Sequence, residues 1–94
     1  MFGGKVKEGM NLLVFAVYDK KGLSYGDLFC FQHRGQAMRV IEDEVAKSNS
    51  ALAKHPADYQ LWCLGSFNLQ SGELIAQRPD LVVECIEFAA KTGV

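Results

Sequence analysis

Little in this sequence announces a catalyst or a disulfide scaffold. It has two prolines, one tryptophan, two histidines and three cysteines, and its charges nearly cancel at −1. The cysteines, at 30, 63 and 85, are odd in number, widely spaced and set among apolar neighbours. That excludes a paired disulfide framework and reads as reduced core cysteines acting as small hydrophobes. No C-x-x-C or H-x-x-x-H pair brings two metal ligands together, so neither a metal nor another cofactor is expected. The longest apolar run, Leu12 to Tyr18, falls far short of the roughly 20 residues that span a bilayer. The first ten residues lack a signal peptide's hydrophobic segment, so no membrane association is expected and the chain is expected to stay in the compartment where it is made.

Catalytic constellations are equally absent. His33 follows an apolar stretch and His55 precedes Pro56, and neither is tied by a motif to a serine or cysteine nucleophile. Glycines at 22, 26, 35, 65 and 72 are scattered and form no phosphate loop. Asp19 and Asp27 are expected to cap turns, and Glu42-Asp43-Glu44 to lie on a solvated helix face. The chain is therefore not expected to be an enzyme.

What is present is a globular composition, 49% hydrophobic over 94 residues, enough for one domain. A domain of this size buries only about 60% of its unfolded surface, so a homodimer that adds buried area is expected. Residues 1–10, with three glycines, two lysines and one glutamate, read as a flexible N-terminal arm, and 11–94 as a single α+β domain. In NLLVFAVY, Leu13, Phe15 and Val17 alternate with Leu12, Val14, Ala16 and Tyr18; apolar on both faces, this fits an interior strand. A turn over DKKG leads to a second strand from about Asp27 to His33.

The period then changes. Ala37, Met38, Ile41 and Val45 form one stripe of a helix over Gly35–Lys47, with Val40 flanking. Pro56 makes 48–58 a connection, with a short helical turn at Ser50–Lys54. A third strand, Tyr59 to Phe67, sets Tyr59, Leu61, Cys63 and Phe67 against Gln60, Trp62 and Leu64, with Gly65 marking a bulge or close approach. NLQSG turns into a short fourth strand, Glu73 to Gln77. After Pro79, DLVVECIEFAAKTG reads two ways: Val82, Ile86 and Ala89 or Ala90 recur at helical spacing, while Val83 and Cys85 alternate with Glu84 as in a strand; its alanines and glutamates favour a C-terminal helix that Gly93 could end. The expected fold is α+β: β-β-α-β-β with a C-terminal helix, the helices packed on a mostly antiparallel sheet.

Charge is unevenly distributed. Residues 1–40 hold six bases and three acids, for +3, while residues 41–94 hold four bases and eight acids, for −4. A basic half with aromatics suits single-stranded nucleic acid, where cations meet phosphates and rings stack on bases. The candidate binding residues are Lys5, Lys7, Tyr18, Lys20, Lys21, Tyr25, Arg34 and Arg39. Phe29, Phe31 and Trp62 are expected to fill the core under the helix, leaving Tyr18 and Tyr25 exposed.

Several blocks also occur in a telling order: VYD at 17–19, FCFQHRGQAMRVIEDEV at 29–45, HPADYQLWCLGSF at 55–67 and SGE at 71–73. Together they resemble the small nonstructural protein family of the gokushovirus branch of microviruses, tailless bacteriophages with single-stranded DNA genomes. The matching positions are Val17, Tyr18, Asp19, Phe29, Phe31, Arg34, Ala37, Arg39, His55, Pro56, Asp58, Tyr59, Leu61, Gly65, Phe67, Gly72 and Glu73, within residues 11–77. The chain departs from the pattern at Asn68, where an acid is often found, and in its arm at 1–10. The resemblance implies a non-capsid accessory protein of the host bacterial cytoplasm that binds single-stranded DNA and assists genome synthesis or packaging. The alternative is a non-enzymatic adaptor for a phage replication or capsid-assembly protein, contacted through the helix or an exposed strand edge.

Overall fold

A computed structural model describes residues 11–47 and 49–92, without the side chains of 90–92. The expected arm at 1–10, with Lys5 and Lys7, and the expected stop at Gly93 lie outside the described residues.

β1 (Asn11–Asp19) is the interior strand that its two apolar faces demand. It pairs antiparallel with β4 (Tyr59–Asn68) along its whole length. Its other edge takes two short strands in turn, β2 (Ser24–Tyr25) near one end and β3 (Phe29–Phe31) near the middle. β5 (Leu74–Glu84) closes the far side against β4, so the order is β2-β1-β4-β5 with β3 beside β2 on the β1 edge. Every pairing is antiparallel. The second strand is thus shorter than expected and is preceded by an extra bridge at 24–25.

The helices all lie toward one side of this sheet. α1 (Arg34–Ala46) buries Ala37, Ile41 and Val45, as the stripe dictates, and leaves Val40 at the surface. Its core partners are Phe15, Leu61, Cys63, Val83, Cys85 and Phe88, with Phe29 and Phe31 packed at the margin. Phe29 sits between its neighbours, 5.9 Å from Phe15 and 6.0 Å from Phe31 by ring centroids. α2 (Ala51–Lys54) starts where the Ser50 hydroxyl accepts the Ala53 amide at 3.0 Å. A 3-10 turn (Pro56–Asp58) leads into β4, and α3 (Ile86–Thr92) ends the described chain.

Two turns rest on side-chain carbonyls. Asp19 Oδ1 accepts the amides of Lys21 and Gly22 at 2.9 and 3.0 Å, the turn-capping role its type favours. Asn68 Oδ1 accepts those of Gln70 and Ser71 at 2.9 and 2.8 Å. The asparagine oxygen therefore caps this turn as an acid's would, while its Nδ2 donates to Asn11 Oδ1 at 2.9 Å, a bond that an acid at this position could not make.

The C-terminal expectation needs correcting. The segment after Pro79 continues β5 to Glu84, with Leu81 opposite Trp62 and Val83 opposite Leu61, and helix begins only at Ile86. β-Branched Val82 and Val83 suit a strand, and proline is tolerated because β5 is an edge. The alternation expected along β4 also breaks. β1 places Val14 opposite Gly65 but Phe15 opposite Cys63, so Leu64 is a bulge and the strand changes phase there. Phe67, opposite Leu12, consequently shares a face with Trp62 rather than with Cys63.

Candidate nucleic-acid interface

The sheet face away from the helix-packed core can be written row by row from the pairings. Tyr25, Tyr18, Gln60 and Glu84 form one cross-strand row; Ala16, Trp62 and Leu81 form the next. Cys30, Val14, Gly65 and Ala76 follow, and then Leu12, Phe67 and Leu74. Small side chains lie in the middle, with rings toward both ends. Trp62 belongs to this face and does not fill the core under α1, contrary to the sequence expectation; β4 alternation opposes it to Leu61 and Cys63, which do.

Tyr18 and Tyr25 are directly paired across strands, their centroids 4.8 Å apart and their planes inclined at 57°. Tyr25 is 42% exposed and Tyr18 half-buried. Beside them a polar chain links β4, β5 and the turn that follows β1. Trp62 Nε1 donates to Gln60 Oε1 at 3.1 Å, Gln60 Nε2 donates to Glu84 Oε2 at 2.8 Å, and Lys20 Nζ donates to Glu84 Oε1 at 3.3 Å. The Gln60 hydrogen bond, assisted by Lys20, holds the Glu84 carboxyl below its ordinary pKa against the opposing effect of burial.

Of the expected binding residues, the fold brings together Tyr18, Lys20, Lys21 and Tyr25 at one end of the sheet. Lys20 is engaged by Glu84, while Lys21 forms no ion pair among the described residues. Arg34 and Arg39 belong to α1, in the helical layer. Arg34 is ion-paired with Asp80, and Arg39 borders a shallow cleft with Phe31, His33, Gln36, Val40 and Asp43. The six candidates among the described residues therefore do not form one patch. Sequence reasoning passed over Gln60 and Glu84 as members of this face. The signal was the alternation of β4 continued into a longer β5, which a helix assigned to 80–84 conceals.

No cluster of three or more histidine, cysteine or acidic residues arranged to hold a metal occurs among the described residues. No helix among them is long and apolar enough to cross a membrane. Burial raises the Cys85 thiol to about 11, with the Glu84 charge adding to the effect, so it is no nucleophile near neutrality.

The geometry thus defines a small α+β domain with one sheet face carrying aromatics outside the helix-packed core. The family model described as Phage ORF5 protein matches residues 12–88, and the chain belongs to that family. It is 33% identical over 67 residues to Protein ORF5 of Chlamydia phage 1, covering 67% of this chain and 70% of that protein. These matches bear out the resemblance to the small proteins of gokushovirus-type microviruses and carry it beyond residue 77, through β5 into α3. No solved structure matches. The protein is a phage accessory protein.

Proposed function

We propose that this phage accessory protein binds single-stranded DNA, with little sequence preference, on the sheet face away from the helix-packed core, and acts during genome synthesis or packaging in the host cytoplasm. The observation that carries the reading is the Tyr18–Tyr25 pair, 4.8 Å between centroids, flanked by Lys20 and Lys21 at the same end of the sheet. Rings so placed offer stacking surfaces to consecutive bases, and any base supplies a π-face, which makes such binding tolerant of sequence. The lysines would meet phosphates. Lys20 has to share its ammonium with Glu84, and the acid repels phosphate, so affinity on this face is modest and strongly salt-dependent. Arg34 and Arg39 stand apart from this platform.

The test is fluorescence anisotropy of labelled oligonucleotides, single- and double-stranded, at about 50 and 200 mM salt, where each neutralised phosphate contributes about −0.7 to the log–log slope. Single strands of any sequence should bind and weaken with salt. Tyr18→Ala should remove roughly 1–3 kcal/mol if a base stacks there. Absence of single-strand binding by folded protein at tens of micromolar would reject the reading. It would favour the adaptor alternative, in which a protein partner is recovered from infected cells regardless of nuclease.

A further inference from the structure

The outer edge of β5 has no neighbouring strand among the described residues. Eight successive residues, Leu74 to Leu81, are exposed, with Asp80 ion-paired to Arg34 of α1. Proteins ordinarily blunt such an edge with charge, proline or irregularity. Here those devices sit in the second half, at Arg78, Pro79 and Asp80, where three residues of β5 oppose the single bulged Leu64. The first half is left apolar: Leu74 is 62% exposed and Ile75 50%.

Hydrogen-bond parity fixes which backbone groups of this half face outward. The Asn68 amide donates to the Glu73 carbonyl at 2.9 Å, and Phe67 lies opposite Leu74, Ser66 opposite Ile75 and Gly65 opposite Ala76. Asn68–Glu73 and Ser66–Ile75 are then the hydrogen-bonded positions, and Leu74 and Ala76 the non-bonded ones. Leu74 and Ala76 thus turn their amides and carbonyls away from β4, to the side where no strand lies among the described residues.

We propose that a second copy of this chain pairs with that edge, antiparallel, about a two-fold axis at Ile75. Leu74 then faces Ala76 of the partner subunit and Ala76 faces Leu74 of the partner subunit, each pair exchanging two hydrogen bonds through groups that already point outward. Ile75 meets Ile75 of the partner subunit at a non-hydrogen-bonded position, where Cα atoms approach to about 4.5 Å and side chains are closest. On the opposite face a large side chain lies against a small one in both pairs. The free segment is short, uncharged and bounded by the Gly72 turn and Pro79; an inverted copy of itself meets all three conditions. The four-strand path would join its partner's into one continuous sheet. This arrangement is independent of DNA binding.

Sedimentation at tens of micromolar should give twice the monomer mass for the natural chain and for Leu28→Lys, which charges an exposed leucine remote from this edge. Ile75→Lys should give the monomer with an unchanged far-ultraviolet circular dichroism spectrum, because it sets two ammonium groups face to face at the axis. In a Cys30→Ser background, Ile75→Cys should oxidise to a covalent dimer and Leu28→Cys should not, since the Cα separation at the axis suits a disulfide. The cross-link decides the matter if Ile75→Lys fails to fold. A monomer throughout, a dimer that survives Ile75→Lys, equal loss in Leu28→Lys, or no cross-link at residue 75 would overturn the arrangement.

Discussion

The carbonyl oxygen of Ile75 occupies the space where a Cβ on Gly65 would sit, with the Ala76 Cα only 3.2 Å from the same point. Both obstacles are backbone, so they cannot rotate aside. Gly65→Ala should therefore push β5 off β4 and cost about 1–3 kcal/mol or more, read as a lower urea midpoint.

Ile41 is 3% exposed within the core cluster and holds α1 to the sheet. Ile41→Ala should cost about 2–5 kcal/mol through lost transfer energy and the cavity it leaves. A loss below about 0.5 kcal/mol, the range of ordinary surface changes, would contradict this packing.

Leu23 holds φ at 57° in the turn between β1 and β2, with 74% of its surface exposed. A branched apolar side chain gains nothing there and strains the backbone. Leu23→Asn should raise stability by up to about 1 kcal/mol, because asparagine tolerates that region. Thermal unfolding would show the gain.

Glu84 gives a pH signature. Its carboxyl is held below the ordinary value of 4.5, chiefly by Gln60, so the folded state favours the ionised form. The stabilisation is fully present above that ordinary value and fades as pH falls through the lower folded one. Glu84→Gln should be less stable than the natural chain at neutral pH, and the gap should close as denaturation is repeated at progressively more acidic pH below 4.5.

Cys30 is exposed, whereas Cys63 and Cys85 are buried. A thiol reagent at neutral pH should label one cysteine per chain quickly and the other two only on unfolding. Mass spectrometry after brief alkylation should place the label on residue 30.

The elements legible in the sequence were those whose burial is set by a single period. β1 shows two apolar faces, α1 shows a stripe at 37, 38, 41 and 45, and both lie where that spacing puts them. The segment 80–84 reads as helix in the sequence because alanine and glutamate further on lend it helical character, while its strand identity comes from Leu61 and Trp62, some twenty positions away. The candidate site was half legible for the same reason. Tyr18, Lys20, Lys21 and Tyr25 are neighbours through a short local turn. Their continuation to Gln60 and Glu84 depends on registers that no local window contains.

The bulge at Leu64 gives the chain a tolerance for length change at one level of the sheet. Measured against β1, β4 carries one supernumerary residue there, and measured against β4, β5 carries two at the same height. Loss of the codon for Leu64 would leave Cys63 opposite Phe15, Gly65 opposite Val14 and Phe67 opposite Leu12, with every side chain on its present face. A deletion in β1, which has no such slack, would turn half of that strand inside out. Among members of this family, single-residue insertions and deletions should therefore gather at the level of Leu64 and Gln77–Pro79 and avoid the strand they flank.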